Sequence, residues 1–91
     1  MLEIKITVSN QLGLHARAAA RLVRSAETFQ STIELQRTDN GVSVNAKSIL
    51  SVLTLAASEG IELVIRAEGA DENEALRVIE ELFAKGFGEN Q

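Results

Sequence analysis

Two stretches near opposite ends of the chain alternate between apolar and polar residues, and this pattern limits the fold more than any other feature. Leu2, Ile4, Ile6 and Val8 interleave with Glu3, Lys5, Thr7 and Ser9, and Ile61, Leu63, Ile65 and Ala67 interleave with Glu62, Val64, Arg66 and Glu68. A period of two sends successive side chains to opposite faces of a strand, so each stretch reads as a strand with one buried face. A sheet built from such strands has one face to cover. The cover must come from the residues between and after them.

From about Ala16 to Thr28 the period changes. Ala19, Leu22, Val23 and Ala26 recur at three- and four-residue spacing, with Ala16 and Ala20 beside them, which predicts a helix with one apolar stripe. Arg17, Arg21 and Arg24 share a face of it, either as a basic partner-binding stripe or as a solvated surface. Thr32–Gln36 reads as a second strand, and Asp39-Asn40-Gly41 as the turn into a short third strand through Val42 and Val44. Asn45-Ala46-Lys47-Ser48 then precedes Ile49, Leu50, Val52 and Leu53, the start of a short helix. Its apolar residues span too much of the circumference for one stripe. Ile49, Leu50 and Leu53 are therefore either core or an exposed contact patch.

Gly69 ends the last strand. Asp71 is an N-cap candidate with Glu74 at capping-box spacing, and Ala75, Leu76, Ile79, Leu82 and Phe83 form the inward face of a final helix closing near Lys85-Gly86. The order is βαββαβα, an α+β domain whose long helices cover one sheet face. A single domain over 1–88 is expected, with 89–91 as a frayed tail.

Composition excludes several classes. A net charge of -4 with three phenylalanines and neither tyrosine nor tryptophan argues against nucleic-acid binding. One histidine and no cysteine leave no disulfide and no ligand set for structural zinc, so neither metal nor cofactor is expected. No apolar run reaches the roughly 20 residues of a membrane span, and residues 1–9 alternate where a signal peptide would be continuously apolar. A cytoplasmic protein without membrane insertion is the expectation.

The single histidine lies in Gly13-Leu14-His15-Ala16-Arg17, immediately before the first helix. Helix N-termini leave backbone N–H groups unpaired and carry partial positive charge, so they suit an anion. His15 can cap the helix and do no more, or it can carry an anionic group that the helix and Arg17 stabilise. Hydrolysis is poorly served, because nothing in the sequence marks an orienting third group or an oxyanion site. An imidazole can, however, attack a phosphoryl group presented by another protein.

Asn10 through Ala19 resembles the active-site segment of the histidine-containing phosphocarrier (HPr) family of the bacterial phosphoenolpyruvate-dependent sugar phosphotransferase system. Val44-Asn45-Ala46-Lys47-Ser48-Ile49-Leu50 is similar to the family's regulatory segment, and Ala67-Glu68-Gly69-Ala70-Asp71-Glu72 to the beginning of its last helix. The resemblance implies that His15 accepts a phosphoryl group at Nδ1 from phosphorylated enzyme I and passes it to IIA domains. Arg17 matches the arginine that contacts the phosphoryl group. Ser48 matches a serine modified by HPr kinase/phosphorylase in many members, and Ile49, Leu50 and Leu53 match the docking patch beside it. The implied fold is an open-faced β-sandwich, a four-stranded antiparallel sheet covered on one face by three helices. The protein is then a carrier and not an enzyme, and is expected to be a monomer.

Two other outputs fit the same residues: a regulatory or nitrogen-branch paralogue acting through protein binding, or a ligand-binding module without covalent chemistry. The chain departs from the family pattern at Ala18, where proline is usual, and at Ala56, where glycine is common; its hairpin near Asp39-Asn40 is slightly long. Alanine in a first helical turn adds a backbone N–H that proline lacks. At Ala56 the exit from the second helix is the feature in question.

Overall fold

A computed structural model describes residues 1–89. Strands β1 (Leu2–Thr7), β2 (Thr32–Arg37), β3 (Ser43–Asn45) and β4 (Glu62–Glu68) alternate with helices α1 (Ala16–Ala26), α2 (Ile49–Leu55) and α3 (Glu72–Ala84), followed by a 3₁₀ turn over Gly86–Gly88. The element order is the expected βαββαβα, in one antiparallel sheet of order β1-β4-β2-β3.

The two alternating stretches become neighbours, with Ile4 opposite Ile65 and Ile6 opposite Leu63. Strand β4 is central, paired on both sides, so Leu63, Ile65 and Ala67 are buried, whereas Leu2, Ile4 and Ile6 on the edge strand are half-buried. On the opposite, open face Arg66 lies between Glu3 and Glu34, donating to them at 3.0 and 3.2 Å. These exposed pairs solvate the bare face and add little stability.

Helix α3 covers β1 and β4, α2 meets β3, and α1 packs against both helices. Ala18, Ala19, Leu22, Val23 and Ala26 carry the α1 stripe into the core, while Ala75, Leu76, Ile79 and Phe83 do so for α3. Leu82 is half-buried at the edge. Helix α1 stops at Ala26, two residues before the expected end, because Thr28 turns its hydroxyl back to donate to the Ser25 carbonyl at 2.7 Å. In the β2–β3 hairpin Arg37 chelates Asp39 and also donates to the carbonyls of Leu55 and Ala56 at 3.0 and 3.3 Å, closing the C-terminal end of α2. Ala56 itself is left-handed, with φ 55° and ψ 38°. Only glycine adopts that conformation without cost, so Ala56 carries backbone strain at the helix exit.

The expected capping box of α3 does not form. Asp71 makes no side-chain cap; its carboxylate accepts the Gln30 and Ser31 amides at 2.9 Å each and the Ser31 hydroxyl at 2.5 Å. Glu74 pairs instead with Arg77, and Glu72 reaches back to accept the Gly69 amide at 3.0 Å. A tertiary site with three donors outcompetes the local cap. The Ser31 hydroxyl, with the Gln30 and Ser31 amides, holds the Asp71 carboxyl below its ordinary value of 3.8.

A lowered carboxyl contributes stability that is complete above the ordinary value and is lost as pH falls through the folded one. Asp71→Asn is therefore expected to lower the urea midpoint at pH 7 and to narrow the difference between midpoints measured at pH 7 and pH 3. A variant with the same pH dependence as the parent would remove Asp71 from the acid response.

Candidate functional site

The loop before α1 is set by contacts that hold its backbone on both sides. Gly13 has φ +64°, and a Cβ there would fall 2.5 Å from the Ala57 carbonyl oxygen and 2.8 Å from Ser58 Cα. That close approach lets the Leu14 amide donate to the Ala57 carbonyl at 2.9 Å. Leu14 is buried, and Asn10, only 1% exposed, donates from Nδ2 to the Gly13 carbonyl at 2.8 Å. The loop is thereby tied to the end of α2 and to itself.

His15 follows as the N-cap of α1, with extended backbone angles of φ -75° and ψ -179°. Its carbonyl accepts the Ala19 amide at 2.8 Å, and its Nδ1 accepts the Arg17 amide at 3.3 Å. The ring is a quarter exposed. Nδ1 thus faces the first turn of the helix, where backbone donors favour negative charge.

Sequence reasoning missed the other side of the site. Glu89 hydrogen-bonds His15 Nε2 through Oε2, accepts Asn10 Nδ2 at 3.1 Å through Oε1, and lies 3.6 Å from the Arg17 guanidinium. Its side chain is only 8% exposed. The Asn10 amide, followed by the His15 hydrogen bond and the charges of His15 and Arg17, holds the Glu89 carboxyl below the usual carboxylate range. The tail expected over 89–91 thus begins with a packed, bonded side chain; positions 90 and 91 lie outside the described residues. No local pattern marks Glu89, which is 74 residues from His15.

Arg17 is well exposed, with its guanidinium near Glu89. Arg21 sends Nη1 to the Phe87 carbonyl, so this member of the basic row anchors the C-terminal turn. Arg24 is exposed and lines a shallow groove with Ser25, Thr28 and Leu82. On α2, Ser48 is the N-cap: its hydroxyl accepts the Ser51 amide at 3.4 Å and donates to Ser51 Oγ at 3.0 Å. Leu50 is 73% exposed and Ile49 40%, whereas Leu53 packs against the core edge. Leu12, 62% exposed in the loop before Gly13, is a further large apolar surface residue that composition did not single out. Among the described residues no helix is long and apolar enough to cross a membrane.

Comparison with known proteins agrees with this arrangement. Residues 2–85 match the family model described as PTS HPr component phosphorylation site. The chain is 48% identical to phosphocarrier protein HPr of Xylella fastidiosa (strain Temecula1) over 90 residues, covering 99% of each. It is 41% identical to phosphocarrier protein NPr of Proteus mirabilis over 86 residues, covering 94% of each. Its structure is similar to the crystal structure of HPr from Thermoanaerobacter tengcongensis, with a TM-score of 0.94 and 40% identity over the whole of both chains. Together with the helix-capping His15 and the open-faced sheet, these similarities establish that the chain belongs to the HPr phosphocarrier family of the phosphotransferase system.

Proposed function

We propose that the protein accepts a phosphoryl group on His15 from phosphorylated enzyme I and donates it to IIA domains, as a covalently loaded carrier in the cytoplasm. The observation that carries this reading is the placement of Nδ1 at the first turn of α1, 3.3 Å from the Arg17 amide. In the forward step the Nδ1 lone pair forms a bond to phosphorus while the bond from phosphorus to the donor side chain breaks. The phosphoryl oxygens then replace Nδ1 as acceptors for the first-turn amides, and the exposed Arg17 guanidinium supplies a charge-assisted contact. The second transfer is the same displacement with the acceptor's side chain as nucleophile.

Enzyme I and IIA domains would dock on the exposed side chains Arg17, Arg24, Ile49 and Leu50; of the remaining candidates, Arg21 is held by the Phe87 carbonyl and Leu53 packs against the core edge. The carrier would act as a monomer, leaving this surface free. Ser48 is the regulatory candidate, a half-buried hydroxyl whose phosphorylation by an ATP-dependent kinase would add about -1.5 to -2 charges next to Ile49 and Leu50. Similarity to the relative named NPr favours one second reading, a paralogue whose output is protein binding. It shares the step at His15 and differs in the acceptor.

Incubation with phosphoenolpyruvate and enzyme I, read by intact mass, tests the carrier role. One acid-labile phosphate is expected on the parent protein and none on His15→Ala. No labile phosphate on the parent, while an authentic HPr loads in parallel, would overturn the reading. An acid-stable phosphate appearing with ATP and kinase, absent in Ser48→Ala, is the corresponding result for the regulatory site.

A further inference from the structure

We infer that Glu89 is a positioning residue that fixes His15 in its Nε2-protonated tautomer and so presents the Nδ1 lone pair to the incoming phosphoryl group. This rests on the reading of His15 as phosphoryl acceptor. A neutral imidazole has one N–H and one lone pair. The Arg17 amide donates to Nδ1, which therefore carries the lone pair, and the Glu89 carboxylate can only accept, so Nε2 carries the proton. Two contacts from opposite ends of the chain specify the same tautomer. That tautomer is the one whose nucleophilic nitrogen faces the helix start.

Glu89 is itself held by the fold. The Phe87 ring is buried against Phe83, edge to face at 4.8 Å, and Arg21 binds the Phe87 carbonyl. Gly88, with φ +78°, lies so near the Arg21 guanidinium that a Cβ would be 3.2 Å from Nη1. Asn10 then fixes the second carboxylate oxygen. The residues next to Glu89 thus come from α1, the loop before it and the turn after α3. The ionisable groups facing its carboxylate are His15 and Arg17.

The chemistry balances without moving the ring proton. As Nδ1 bonds to phosphorus and the donor bond breaks, the ring gains the positive charge of a substituted imidazolium, and the Nε2 proton remains between the ring and Glu89. The carboxylate compensates that charge, as an orienting carboxylate does for a catalytic imidazole. It also keeps Nε2 protonated for the second transfer, in which the neutral ring leaves with its proton in place.

Nitrogen NMR of the His15 ring, together with steady-state loading by enzyme I, tests the assignment. In the unloaded parent protein a slowly exchanging N–H on Nε2 and a bare Nδ1 are expected. Glu89→Ala should lose that slow N–H and reduce the kcat for loading about tenfold, the lower end of what loss of an outer hydrogen-bond partner costs a metal-bound imidazole, with KM within about twofold. Glu89→Gln, which keeps an acceptor oxygen without the charge, should retain the N–H and give an intermediate kcat. A purely structural role would change KM or Tm and spare the kcat. A parent ring protonated on Nδ1, or a Glu89→Ala ring with unchanged exchange, would overturn the inference even if loading succeeds. Failure of the parent to load, with the expected ring signals present, would instead strike the carrier reading and leave the tautomer assignment standing.

Discussion

Gly13→Ala is expected to lower the stability of the folded protein by about 3 kcal/mol, which for a domain of this size shifts Tm by roughly 12–24 °C. Two physical costs add. An L-residue at φ +64° carries about 1 kcal/mol of backbone strain. The added methyl would also sit 2.5 Å from the Ala57 carbonyl oxygen and 2.8 Å from Ser58 Cα, and because both atoms are backbone, relief requires the loop to separate from the end of α2. Overpacking of this kind costs about 1–3 kcal/mol. The Leu14–Ala57 hydrogen bond at 2.9 Å would be the first to go, and His15 moves with it. Gly41→Ala is the control, since Gly41 has φ +75° but nothing within 4 Å of an added Cβ. It should cost about 1 kcal/mol, the strain alone. Thermal unfolding of the two variants separates strain from contact; equal losses would mean that the approach to Ala57 is unimportant.

Phe87→Ala is the second large effect, expected to destabilise by about 3–5 kcal/mol. The ring is 1% exposed and meets Phe83 at 4.8 Å with planes inclined by 73°, a favourable edge contact. Against a total stability of about 5–13 kcal/mol for a chain of this length, that is a large fraction. The loss should appear as a lower urea midpoint with an unchanged slope. Because Phe87 also anchors the turn that carries Glu89, residual folded protein should lose the slow Nε2–H signal of His15. A loss below about 1 kcal/mol would show that the aromatic pair is not part of the core.

Much of this architecture is legible in one dimension because it depends on residues close in sequence. The alternation in Leu2–Val8 and Ile61–Ala67 identified the strands that pair as β1 and β4, and the spacing of Ala19, Leu22, Val23 and Ala26 identified the buried face of α1. The single histidine beside Gly13 marked the helix start. Ser48 was read as the start of α2 for the same local reason, since small polar residues accept first-turn amides.

Where competing partners come from afar, local reading failed. Asp71 and Glu74 have capping-box spacing, yet Asp71 turns to Gln30 and Ser31 because three donors there exceed the single first-turn amide that a capping side chain accepts. Arg21 shares a face with Arg17 and Arg24 in any helical projection, but its guanidinium is taken by the Phe87 carbonyl. Neither choice leaves a trace in periodicity.

By itself the sequence determined the order of elements, the buried faces of β1, β4, α1 and α3 and the location of His15 at a helix start, since strand alternation, helical spacing and turn residues act over a few positions. Only the tertiary structure decided what stands beside the imidazole. Closure of the chain brings Asn10, Arg17 and Glu89 around His15. The hydrogen bonds that orient its ring therefore depend on how α3 and its final turn pack against α1, a relation between segments that no local pattern encodes.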